Sequence, residues 1–204
     1  MAMETRQSIE DAITIFRQRG GVLRTAEGLR LGVHPRTLYA MRDSGVLERL
    51  SRGLYRLADL PPLSNPDLVT VALRTPQVVI CLVSALAFYE LTTQIPHVVD
   101  VAVHNRDERP RLDYPPLRVF WFSGPAWSEG IETYQIDGIP VRIYGPEKSV
   151  ADMFKYRRKL GLDVALEALR CYRQGQGFDV GKLLHYARIC RVENVMRPYI
   201  EALL

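Results

Sequence analysis

Hydrophobic residues recur at helical spacing over residues 8–18, SIEDAITIFRQ. Ile9, Ala12, Ile13 and Phe16 fall at i, i+3, i+4 and i+7, which predicts an amphipathic helix with Ser8 as its N-cap and Gly20-Gly21 as its stop. Residues 24–57, RTAEGLRLGVHPRTLYAMRDSGVLERLSRGLYRL, then predict two short helices and a hairpin. Thr25 can cap the first helix, with Ala26 and Leu29 inward, Gly32 breaking it and Val33 packing into the turn. The second helix opens at His34-Pro35, where proline's missing N–H costs nothing. Leu38 and Met41 lie three apart and face a core, so Arg36, Thr37, Tyr39 and Arg42 are expected outward. Ser44-Gly45 stops this helix. Two strands, 46–50 and 54–57, follow around Ser51-Arg52-Gly53 and carry Arg49, Arg52 and Arg56. The pattern reads as a helix-turn-helix with a basic β-wing, an arrangement suited to a major groove and its flanking phosphates.

Residues 58–66, ADLPPLSNP, are rich in turn formers and mark the expected boundary between a winged helix-turn-helix domain over 1–60 and a second domain over 61–204. Beyond it, Asn65 can cap a helix over 66–74, residues 77–82 read as a strand, and Ser84 caps a further helix. Strands are expected at 98–103 and 118–122, the latter buried on both faces, with 105–116 as a loop. Asp137-Gly138 between alternating residues signals a hairpin. Helices are expected at 147–160 after Pro146, from Asp163, from Asp179 and over 193–203. The second domain therefore reads as α+β, a small mostly antiparallel sheet with helices gathered at its C-terminal end.

Charge sharpens the first half of this picture. Residues 1–58 hold ten Arg and six acids, whereas 59–204 hold seventeen bases and seventeen acids. The whole formal charge of +4 sits on the winged segment, the footprint expected of a DNA-binding module. All ten of its bases are Arg, the side chain best suited to bidentate contacts with phosphate and guanine. No run approaches a membrane span and the start, MAMETRQSIEDA, lacks an apolar signal core, so a cytoplasmic protein is expected. Cys81, Cys171 and Cys190 are odd in number and widely spaced, and read as reduced, mostly buried small hydrophobes.

Candidate catalytic chemistry fails on spacing. Residues 175–182, GQGFDVGK, imitate a phosphate loop, but three or five residues, not four, separate the glycines, and Leu183 stands where Ser or Thr is needed. They read as an inter-helix turn. His97 and His104 flank a strand with Asp100 between them, without metal-ligand spacing, and surface histidines are the simpler reading. Asp100, Asp113 and Asp137 with Lys148 could support a nuclease-like sheet, yet Glu147-Lys148 are adjacent and open a helix instead of lying two apart on a strand. No catalytic residue, metal or cofactor is expected. Lys148, Lys155, Arg157, Arg158 and Lys159 crowd one helix, either as a solvated face or as a docking surface for an acidic partner or nucleic acid.

Two blocks, TAEGLRLGVHPRTLYAMRDSGVLERLSRGLYRL and IPVRIYGPEKSVADMFKYRRKLGLDVALEALRCY, resemble AbiEi-type antitoxins of abortive-infection (type IV) toxin–antitoxin systems. The resemblance implies an N-terminal winged helix that binds double-stranded DNA at inverted repeats in its own promoter and represses it. It also implies a second domain that counteracts a nucleotidyltransferase-like toxin, with no catalytic residues. By motif position, residues 34–42 would be the recognition helix and 49–55 the wing. The expected DNA-contacting set is therefore Thr25, His34, Arg36, Thr37, Tyr39, Arg42, Arg49, Ser51, Arg52 and Tyr55, and the basic helix is the candidate toxin contact. Two other readings stay open: a winged-helix regulator whose second domain senses a ligand, and a DNA nuclease.

Overall fold

The computed structural model describes residues 2–203, with side chains from residue 8 onward. The reading of the first twelve residues as lacking a signal core thus falls partly outside the described residues. Among the described residues no helix is long and apolar enough to cross a membrane. The chain forms two compact units, Met1–Thr70 and Val71–Leu204.

The first unit runs α1 (Ala2–Gln18), β1 (Val22–Arg24), α2 (Thr25–Arg30), α3 (Pro35–Asp43), β2 (Leu47–Ser51) and β3 (Leu54–Leu57). Ala12 and Phe16 are buried as the periodicity predicts, but α1 begins before Ser8, which lies inside the helix and does not cap it. Three antiparallel strands pair in the order β1-β3-β2. β1 was not expected, because three residues are too few to show an alternation. The helices close on the sheet around Phe16, Leu23, Val33, Leu38, Met41 and Leu57. Two expectations for α2 are corrected. Thr25 lies within the helix; Arg24 holds the cap position without a side-chain bond. Ala26 and Leu29 face solvent, and Gly28 is the buried residue, its carbonyl accepting the Val33 N–H at 2.9 Å. A helix of under two turns is placed by its neighbours more than by its own stripe.

From α4 (Pro66–Arg74), which spans the division between the units, the chain continues through β4 (Val79–Ile80), α5 (Leu82–Phe88), β5 (Val99–His104), β6 (Leu117–Phe122), α6 (Pro125–Ser128), β7 (Ile131–Ile136) and β8 (Ile139–Tyr144). It ends in α7 (Pro146–Leu160), α8 (Leu162–Gln174), α9 (Val180–Ile189) and α10 (Glu193–Glu201). The five-stranded sheet has the order β6-β5-β4-β8-β7. It is mixed and not mostly antiparallel: β5 with β6 and β4 with β8 pair parallel, β4 with β5 and β7 with β8 antiparallel. The loop over 105–116 is long enough to return the chain for a parallel pairing without a helix. Asp137-Gly138 makes the hairpin turn, both at positive φ. Cys81, not Ser84, precedes α5. Trp121 on β6 is 46% exposed, so that strand is not buried on both faces.

α7 runs through the middle of this unit, and residues 147–154 are all buried. Lys148 and Asp152, one turn apart, are both 0% exposed and ion-paired at 2.5 Å. Asp152 also accepts from the Cys190 thiol at 3.1 Å, and the Lys148 ammonium lies 4.1 Å over the Tyr144 ring and 4.9 Å from that of Phe122. A buried charge persists only when such partners replace water. Burial pushes the Cys81 and Cys190 thiols up, and all three cysteines are free.

Lys148→Ala strands the Asp152 carboxylate in the core and should cost about 3–5 kcal/mol. The pair Lys148→Met with Asp152→Leu should cost much less. Both tryptophans, Trp121 and Trp127, lie in the second unit, so urea unfolding followed by tryptophan fluorescence reads it alone. Equal losses in the single and the double variant would show that pairing is not what keeps these charges inside.

Candidate nucleic-acid interface

α3 exists because Pro35 fits its first turn and His34 caps it: the His34 Nδ1 accepts the Arg36 N–H at 3.2 Å. Leu38 and Met41 are buried at 2% and 0% and fix the helix's rotation. Arg36, Tyr39 and Arg42 are thereby left on the solvent side, Tyr39 being 47% exposed. The Arg42 guanidinium sits 5.1 Å over the Tyr39 ring and pairs with Asp43 at 2.6 Å. Its proton is held more tightly than usual, first by the Asp43 hydrogen bond and further by Tyr55.

On the hairpin, Arg49 stands directly across from Tyr55, and its Nε donates to the Ser51 carbonyl at 3.3 Å. The register shifts between Arg49 and Ser51, which closes the turn on Arg52-Gly53 with Gly53 at φ +70°, where other side chains rarely sit. Arg49 and Arg52 are exposed. Exposed arginines on α3 and on the adjoining hairpin thus share one small unit.

Five expectations about this surface change. Thr37 faces the core, not solvent, with 9% exposure. Tyr55 is a core residue at 5%, and Ser51 is buried at 7%. Arg56 does not decorate the hairpin. It is 5% exposed, pairs with Glu48 at 2.6 Å and donates to the Pro61 carbonyl. Thr25 is half-buried at the start of α2. The surface set narrows to His34, Arg36, Tyr39, Arg42, Arg49 and Arg52. Position in a strand could have flagged Tyr55, two residues from Leu57 and on its face, and Thr37 stands four residues before Met41 on one helical face.

In the second unit, Lys148 is withdrawn from the basic face by its burial, which leaves Lys155, Arg158 and Lys159 exposed and Arg157 half-buried, its Nη1 donating to the Phe154 carbonyl at 2.7 Å. The residues considered for nuclease chemistry are not brought together. Arg118 grips Asp100 with two bonds of 2.6 and 2.8 Å, Lys148 is held by Asp152, and Asp137 lies in the hairpin turn. Burial outweighs the arginine's pull and raises the Asp100 carboxyl above its ordinary value. The His104 ring packs on Trp127 and accepts the Arg106 N–H. No metal-holding group of three His, Cys, Asp or Glu occurs among the described residues. GQGFDVGK is an inter-helix turn, with Asp179 capping α9 through the Lys182 N–H at 2.9 Å.

His34→Ala removes the acceptor at the start of α3 and should cost the first unit about 0.5–2 kcal/mol, the range for a lost N-cap. His34→Asn or His34→Asp should recover most of it. Far-UV circular dichroism during thermal unfolding measures both, and identical midpoints for Ala and Asn would show that the cap contributes nothing.

No curated protein matches this chain. Among solved structures, that of the RV2827C protein from Mycobacterium tuberculosis is similar over 93% of this chain and 79% of that one, with 10% identity and a TM-score of 0.56, a likeness of fold alone. An antigenic nucleotidyltransferase-like protein from Paracoccidioides brasiliensis aligns with 70% of this chain and 95% of its own, at 13% identity and a TM-score of 0.34, too low to establish a shared fold. Residues 10–58, the span that carries α3 and the hairpin, match the family model described as transcriptional regulator, AbiEi antitoxin.

Proposed function

We propose that the chain is the antitoxin of a toxin–antitoxin pair and a DNA-binding repressor of its own promoter, with no enzymatic activity. The first unit acts as a winged helix-turn-helix. α3 enters the major groove of double-stranded DNA, and the hairpin lies along the flanking phosphates. The observation that carries this reading is the exposed Arg36, Tyr39 and Arg42 face beside Arg49 and Arg52, within the segment matched to the antitoxin regulators. Inverted repeats are the expected operator, since regulators of this kind bind paired half-sites. The second unit is assigned the counteraction of a nucleotidyltransferase-like toxin. Lys155, Arg157, Arg158 and Lys159 are its candidate contact, because a metal-binding active site is acidic at its mouth and opposite charge steers association.

The first test is a gel-shift titration of the full chain on its promoter DNA. Arg36, in the first turn of α3, is placed to read a base edge, so Arg36→Ala should weaken specific binding by about 1–3 kcal/mol and relax preference at one base pair. Unchanged affinity would remove Arg36 from the reading surface.

Arg52, at the hairpin tip, is placed on phosphate. Arg52→Ala should weaken binding to operator and unrelated duplex alike and lower the salt slope by about 1. A loss confined to the operator would assign base reading to the hairpin and overturn this division of roles.

A further inference from the structure

A cavity of about 290 Å³ opens in the second unit at the C-terminal end of α7, apart from the surface assigned to DNA. Its apolar walls are Val83 of α5, Leu160 of α7 and Val164 of α8, with Ile95 and Pro96 on the rim. Ile95 is 82% exposed, the most exposed of the large hydrophobic residues, although it borders a cavity that an apolar body would fill. The polar lining is cationic or neutral. Arg118 and Lys159 enter it, together with His97 and Gln94, and among the described lining residues there is no carboxylate. Asp100, which lies behind Arg118, is fully buried and already satisfied by that guanidinium and by the Val83 N–H at 3.1 Å. It therefore orients Arg118 and offsets much of its charge, so that Lys159 is the stronger attraction for an anion. The Lys159 ammonium is held 4.7 Å over the Phe120 ring, which keeps it near the wall.

The rim is built in advance. Glu167 on α8 accepts from the Thr92 hydroxyl at 3.0 Å and from the Thr93 N–H and hydroxyl at 2.8 and 2.6 Å. Those hydrogen bonds, led by the Thr93 hydroxyl, hold its carboxyl below the ordinary value. At the other end, the Ser84 hydroxyl donates to the Val98 carbonyl at 3.4 Å. The segment from Gln94 to His97 is thus tied at both ends, which lowers the ordering entropy that opposes a ligand.

From these features we infer that this cavity binds a small organic anion, its acidic head on Lys159 and Arg118 and its short aliphatic or aromatic body against Val83, Leu160, Val164 and Ile95. Fixed cations over an apolar hollow are the complement of such a molecule, and neither a free inorganic anion nor a neutral hydrocarbon satisfies both. The second unit becomes a ligand-binding module in its own right, whatever the first unit binds.

The test uses the full chain labelled with ¹⁵N, titrated separately with hexanoate and with 3-phenylpropionate, with hexylammonium and inorganic phosphate as controls. At least one of the two acids should shift the amides of Gln94, Ile95, His97, Leu160 and Val164 saturably, while neither control does so. Lys159→Glu should weaken that binding by about tenfold or more, because it replaces attraction by repulsion at short range. Lys159 is exposed, so the variant's spectrum should otherwise match the parent and report a folded protein. If neither acid gives saturable shifts at these positions, or if Lys159→Glu binds equally well, the proposal is wrong. Phosphate shifting the same amides as strongly as the acids would also overturn it, since the apolar wall would then play no part.

Discussion

The second unit depends on a pair of charges with no access to water. Lys148 and Asp152 can both be 0% exposed only because each is the other's counter-ion and because Tyr144, Phe122 and Cys190 complete their surroundings. The pair lets the first half of α7 be buried on every side, while the second half carries its cations outside. Lys155 and Lys159 share the face of Lys148 but lie in the second half of the helix, beyond the buried residues 147–154, and so reach solvent with Arg158. Lys159, at the end of the same helix, then reaches the cavity beside Arg118.

The first unit answers to a simpler constraint. α3 has nine residues, and two well-buried side chains, Leu38 and Met41, suffice to orient them. What they leave exposed is Arg36, Tyr39 and Arg42, and the bulged hairpin adds Arg49 and Arg52. Packing stabilises the unit and in the same act sorts its arginines. Arg56 is drawn inward to Glu48 and the Pro61 carbonyl, so one of the ten positive charges counted in residues 1–58 serves folding and not a partner.

Much of this was legible in the sequence wherever a local rule acts alone. Pro35 and Pro146 open helices, Asp179 caps one, and Asp137-Gly138 turns a hairpin, each because backbone geometry leaves few alternatives. Legibility failed where tertiary neighbours decide. A helix with Val150, Met153 and Phe154 inward looks amphipathic, but α5, α8, α9 and α10 surround the first half of α7 and bury Lys148 as well. The same holds for Thr37 and Tyr55, whose types are common on surfaces but whose backbones face the core. Strand direction was also out of reach, since a loop over 105–116 permits either pairing of β5 with β6. The cavity at Arg118 and Lys159 assembles residues from five separate segments, so no spacing rule could have found it.

On the proposed reading the first unit is the DNA interface. Its most direct measurement is hydrogen–deuterium exchange of the full chain with and without a duplex carrying its own promoter. Protection is predicted in peptides covering 34–43 and 47–57, with α7 unchanged. Protection confined to the second unit, or none anywhere under saturating DNA at low salt, would contradict the account.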